Sequence, residues 1–234
     1  MSKLEIKQLL TKVNYRKATN KKNKYIVIHY VGATGDAEAN CKYYASKYLA
    51  ASAHYFIGFK GDVWQSVEDS NVAWHCGTQN GYKHPYCRNE NSIGIEMCVR
   101  KDAKGSWYFE DATVKSTIEL VKMLMRKYNI PVANVIRHYD VTGKVCPEPY
   151  VRNPQAWNTF KASLTTSTPT TSGYLVRVTA NALNVRSGAG TNYKVVTTVK
   201  KGEVYTIVDE LNGWGKLKSG AGWIKLSYTE KVRV

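Results

Sequence analysis

"KYIVIHYV" (residues 24–31) is a short, almost continuous apolar run broken by one histidine. A run of this length, rich in β-branched residues, predicts a strand buried on both faces near the middle of a sheet. Outward from it, "SAHYFIGFKGDVWQSV" (52–67) reads as two strands joined by a turn at Lys60-Gly61-Asp62. "NSIGIEMCV" (91–99) alternates, with Ile93, Ile95, Met97 and Val99 on one face and Gly94, Glu96 and Cys98 on the other. Val114, Ile118, Val121, Met125 and Tyr128 keep helical spacing over 111–128, and Pro131 marks the end of that helix. A second helix is expected over 38–50, and "VANVIRHYD" (132–140) resumes as a short strand. The mixture predicts an α/β fold, a mixed central sheet flanked by helices.

Residues 165–173, TTSTPTTSG, carry no charge and no large apolar group, and read as a flexible linker. They divide the chain into 1–164 and 174–234. The second part consists of short β-branched and aromatic runs between Gly and Asn turns, the pattern of a small all-β barrel.

The 234 residues carry a formal net charge of +16, with +10 in 1–164 and +6 in 165–234. Two basic parts suit a polyanion or an anionic surface: nucleic acid, anionic membrane or bacterial cell wall. The plainer reading is solubility at a basic pI. No apolar run approaches the roughly 18 residues of a membrane span. The N-terminus, MSKLEIKQLLTKVNYRK, shows no apolar core followed by a small-residue cleavage site, so synthesis and retention in a cytoplasm are expected. With no secretory signal visible, the five cysteines are not expected to form a disulfide framework, and the absence of a CxxC pair argues against a structural zinc ribbon.

"RHYDVTGKVCP" (137–147) crowds a histidine, an aspartate, a lysine and a cysteine into one segment. Catalytic zinc takes three protein ligands and leaves the fourth position open. His29, at the exit of its strand, His138 and Cys146 make such a set. The alternative for His29 alone is a buried histidine bonded to a carbonyl. Gly143 permits a sharp turn after His138, and in an extended run Lys144 and Cys146 share a face. Asp140 is either a turn residue or a partner for a histidine. Glu96, acidic in an apolar strand, is the candidate general base; the alternative is a buried ion pair.

The strings IVIHY, SAHYFIG, VAWHCGT, NSIGIEM and RHYDVTGKVCP, in this order, resemble the zinc N-acetylmuramoyl-L-alanine amidases, which share a fold with the peptidoglycan recognition proteins. The resemblance covers roughly residues 20–160. It implies Zn2+ held by His29, His138 and Cys146, with Glu96 and Lys144 catalytic. Some members use a tyrosine before the second strand; Ala53 stands there, which places more weight on Glu96. The implied reaction cleaves the amide between N-acetylmuramic acid and L-alanine. The resemblance also implies that the loop holding Trp74 and His75 lines the substrate cleft, and Tyr30, beside His29, is a further candidate contact. His54 is expected to pack in its strand, and Tyr43, Tyr44 and Tyr48 to pack a helix.

"LNVRSGAGTNYKVV", "KKGEVYTI" and "GWGKLKSGAGWI" resemble the bacterial Src-homology-3-like domains of wall hydrolases. This implies a wall-binding part at 174–234 behind a zinc amidase part at 1–164. Tyr193 and Trp214, with Trp223, are candidates for its ligand groove; the alternative places Trp223 and much of Trp214 in the barrel core. Together these readings predict an endolysin of phage type, made without a signal peptide and reaching the wall once the membrane is opened. The expected partners are peptidoglycan and anionic wall polymers, without nucleic acid, a transmembrane segment or an obligate protein partner. Two alternatives remain at this point: a recognition protein that binds peptidoglycan without cutting it, and a zinc endopeptidase acting on the stem peptide.

Overall fold

The computed structural model describes residues 4–78, 81–165, 173–211 and 213–232. The described residues fall into two compact units, Leu4–Thr165 and 173–232. Most of the stretch read as a linker, 166–172, lies outside the described residues.

The first unit is built on a six-stranded sheet: β1 (Ile6–Gln8), β2 (Tyr25–Tyr30), β3 (Tyr55–Ile57), β4 (Val63–Gln65), β5 (Ser92–Met97) and β6 (Val135–Arg137), in the order β1-β4-β3-β5-β2-β6. All pairs are parallel except the hairpin of β3 and β4. KYIVIHYV thus holds an interior place, with β5 on one side and β6 on the other. The period-two alternation sorts its side chains. Ile26 and Ile28, with Ile93, Ile95 and Met97 of β5, enter the main core. There they meet Leu120, Val121 and Leu124 of α2 (Asp111–Tyr128) and Trp157, Phe160 and Leu164 of α4 (Pro154–Thr165). Each such burial contributes about 1.5–3 kcal/mol, and together they fix which face of the sheet is covered.

The helix over 111–128 forms as its spacing predicts. It closes on Asn129, whose backbone is left-handed at φ 52° and returns its N–H to Met125 O. The helix α1 runs Ala37–Ser46, shorter than expected, because Lys47 turns extended and Ala50 takes a positive φ of 53°. Its start is capped by Asp36, whose Oδ1 accepts from Ala39 N at 2.8 Å. Of the three tyrosines assigned to helix packing, Tyr44 stacks on Phe56 at 5.4 Å, whereas Tyr43 and Tyr48 are exposed. The helix α4 is not marked by the sequence patterns above, although Trp157, Phe160 and Leu164 sit on one helical face behind Pro154.

The second unit is a seven-stranded antiparallel sheet: β7 (Tyr174–Val178), β8 (Ala182–Arg186), β9 (Val195–Lys200), β10 (Val204–Leu211), β11 (Trp214–Leu217), β12 (Trp223–Lys225) and β13 (Thr229–Lys231), in the order β9-β8-β12-β11-β10-β7-β13. Its own core holds Val176, Val178, Leu183, Val185, Ile207, Leu217 and Ile224.

Candidate metal centre

The face of the sheet opposite α2 carries the other half of the alternation: His29 of β2 and Ser92, Gly94 and Glu96 of β5. The register pairs His29 with Glu96. His138 arrives from the next strand. β6 ends at Arg137, and His138 opens the short helix α3 (His138–Thr142) rather than continuing the expected strand. Asp140 enforces the change. Its Oδ2 accepts from Arg137 N at 2.8 Å and its Oδ1 pairs with the Arg137 guanidinium at 2.7 Å, capping the helix start. Of the two roles open for Asp140, the turn role is the one it fills.

Gly143 ends α3 at φ 85°, in the left-handed region, and donates to Tyr139 O at 2.8 Å. The chain reverses, and Cys146 O accepts from Tyr139 N at 2.8 Å. The turn therefore brings Cys146 back beside His138. One ligand atom from each of His29, His138 and Cys146 lies within 4.8 Å of the others, and all three residues are buried. Among the described residues, no other group of three or more His, Cys, Asp or Glu side chains converges in this way.

Hydrogen bonds decide which nitrogen each histidine offers. His138 Nε2 lies 3.2 Å from Gly77 O, and a carbonyl can only accept, so Nε2 carries the proton and Nδ1 keeps its lone pair. His29 Nδ1 faces Cys146 Sγ at 3.7 Å, while Nε2 meets His75 Nδ1 at 3.1 Å. Burial, reinforced by neighbouring imidazoles and Lys144, holds His29 well below the usual histidine range; burial and Lys144 lower His138 to about 4. Both rings are neutral donors at neutral pH. Burial, then Glu96, pushes the Cys146 thiol up to about 12, so its thiolate needs a cation. Two neutral imidazoles and a buried thiol converging on one point suit a soft or borderline divalent metal such as zinc, with room left for a non-protein ligand.

Glu96 is partly buried, but its Oε2 is sealed from solvent and has no hydrogen-bond partner. Burial lifts its carboxyl to about 7, opposed by the Lys144 ammonium. The Lys144 side chain is exposed at the rim, close enough to act on His29, His138, Cys146 and Glu96. Glu96 Oε2 is thus an unmet buried acceptor, close enough to Cys146 to act on its thiol.

The other expected contacts divide. Tyr30, next to His29, donates to Glu148 Oε2 at 3.3 Å and stands edge-on to Trp107. Trp74 is partly buried, with its ring edge-on to Tyr48 at 6.0 Å. His75 does not present itself at a cleft surface. It is 6 % exposed and lies behind His29. His54 is fully buried and accepts from Gly94 N at 3.0 Å, a packing role. In the second unit Tyr193 is exposed and Trp214 is buried, so Trp214 leaves a ligand little surface.

Residues 19–149 match the N-acetylmuramoyl-L-alanine amidase family, and residues 181–230 match the bacterial SH3 domain. N-acetylmuramoyl-L-alanine amidase CwlL of Bacillus licheniformis is 34% identical over 147 residues, which cover 59% of this chain and 39% of that one. The chain spans about two fifths of the length of such curated relatives. Among solved structures, a mutant endolysin from Bacillus subtilis superposes with a TM-score of 0.56 at 29% identity, covering 69% of this chain and 99% of its own. The structure of PlyL gives 0.58 at 27% identity, covering 69% and 98%.

Proposed function

The chain belongs to the N-acetylmuramoyl-L-alanine amidase family, and on that premise we propose that it is a zinc-dependent peptidoglycan amidase of endolysin type. The substrate bond is the amide joining N-acetylmuramic acid to the L-alanine of the stem peptide. The observation that carries the reading is the convergence of His29, His138 and Cys146 beside the partnerless Oε2 of Glu96. A protein that only recognised peptidoglycan would have no use for a buried thiol among imidazoles or an unpaired buried carboxylate.

His29, His138 and Cys146 would hold the zinc. Bound there, zinc supplies Lewis acidity, polarising a carbonyl and making water a stronger acid. Glu96 takes the proton of the attacking water at Oε2 and returns it to the leaving amine of L-alanine, which departs neutral. The Lys144 ammonium stands beside the charge that develops on the carbonyl oxygen. Tyr30 and the Trp74 loop flank the substrate.

The second unit binds the wall. Its basic charge suits anionic wall polymers, with exposed Tyr193 as a contact. Tethering raises the local concentration of an insoluble substrate without adding a catalytic group. No helix among the described residues is long and apolar enough to cross a membrane.

The test is digestion of isolated peptidoglycan with end-group analysis. New L-alanine amino termini without new reducing sugars, lost with a chelator and restored by zinc, support the amidase. New amino termini on another residue would instead identify an endopeptidase.

A further inference from the structure

His75 has no part in the catalytic steps above, yet it sits against a proposed metal ligand inside a site that the strand was shaped to receive. Gly94 lies in the middle of β5, where glycine weakens a strand unless something approaches the backbone closely. The something is the imidazole of His75: a Cβ on Gly94 would meet His75 Cγ at 2.5 Å and Nδ1 at 2.7 Å. The backbone on the other side is pinned as well, since Asn89 Oδ1 accepts from both His75 N at 3.0 Å and Cys76 N at 2.7 Å.

The proton positions follow from one backbone carbonyl. Arg88 O can only accept, so the Ser92 hydroxyl, 2.6 Å away, donates to it. Ser92 Oγ is then an acceptor for His75 Nε2 at 3.2 Å, which puts the His75 proton on Nε2. His75 Nδ1 is left as an acceptor for His29 Nε2 at 3.1 Å, with the Cys76 sulfur 3.3 Å away. His29 therefore carries its proton on Nε2 and keeps the Nδ1 lone pair toward Cys146 and the metal position.

We infer that His75 is a positioning residue for the metal centre, fixing the ring and tautomer of His29 through the chain Arg88 O, Ser92 Oγ, His75, His29. Its ligand partner is the His29 imidazole rather than the substrate. The inference rests on the zinc assignment to His29, His138 and Cys146. Outer partners of this kind typically contribute 10–100-fold in metal affinity. An asparagine at 75 can place Oδ1 where Nδ1 stands and keep the acceptor; alanine cannot.

Two measurements test it. Long-range 15N–1H NMR of the zinc-loaded wild type reads the tautomers directly: Nε2–H on both His29 and His75 is expected, and an Nδ1–H on His75 overturns the inference whatever the variants do. Competition with a chromophoric zinc chelator is expected to give at least 10-fold weaker binding for His75→Ala, with His75→Asn regaining most of the loss. Equal zinc affinity in wild type and His75→Ala would also overturn it. If His75→Ala does not fold, the wild-type tautomers decide alone. A wild type that takes up no zinc removes the metal centre and this inference together; one that binds zinc through the opposite tautomer removes only the inference.

Discussion

His29 and Glu96 are register partners on adjacent parallel strands, both on the sheet face turned away from α2. One offers a neutral nitrogen and the other a partnerless carboxylate oxygen. Because the pairing is made by two interior strands, the separation of the proposed ligand and the proposed base is set by the backbone ladder rather than by a loop. Glu96→Gln keeps the shape and removes the proton acceptor. Zinc content is expected to stay at one per chain while turnover on peptidoglycan falls about 10²–10⁴-fold. Near-normal turnover would take the base role from Glu96.

The raised Glu96 carboxyl makes a prediction for the metal-free protein. Its folded value of about 7 lies above the ordinary 4.5. The protonated form is therefore favoured in the fold, and its contribution is fully present below about pH 4.5 and lost as pH rises through about 7. The difference is about 3 kcal/mol. Urea unfolding of the metal-free wild type at pH 5 and pH 8 should show most of that loss, and Glu96→Gln should remove this component. An identical pH slope in the two proteins would show that Glu96 is not held in its neutral form.

Cys146→Ala removes the only sulfur from the donor set and should abolish both zinc retention and activity. Cys146→Asp, which leaves an oxygen ligand, should bind zinc more weakly than wild type but more tightly than alanine. Zinc measured after exhaustive dialysis checks the order; retention by Cys146→Ala would refute the ligand assignment.

Lys144 is exposed and carries no fold-critical packing, so Lys144→Ala should melt like wild type. Its turnover should fall about 10²–10³-fold, the range for losing one oxyanion-stabilising donor. A pure rise in KM with kcat unchanged would make Lys144 a binding residue instead.

Leu4–Thr165 has its own core and its own sheet. A chain ending at Thr165 is expected to fold, bind zinc and sediment with walls less than the full chain does. Undiminished wall binding would assign the second unit another task.

The sheet was legible because its side chains obey a period of two. Ile93, Ile95 and Met97 on one side and Gly94 and Glu96 on the other came from alternation alone, and the structure keeps that division. The helix over 111–128 was legible for the same kind of reason. His138 was recognisable by its company but not by its conformation. The capping of α3 by Asp140 is a three-residue event that periodicity does not register, so the strand was expected to run on. His75 lies in a segment with no period at all, and burial of such a segment cannot be read from spacing. The one available signal was Gly94, a glycine inside an apolar strand, which marks a close approach without saying of what. Trp214 was ambiguous because a large aromatic suits both a groove and a barrel core.

The most direct measurement of the account is X-ray absorption at the zinc edge on the purified chain. The prediction is one sulfur scatterer at about 2.3 Å with nitrogen scatterers at about 2.0–2.1 Å, one zinc per chain. A zinc shell without sulfur, or a chain that holds no zinc, would contradict it.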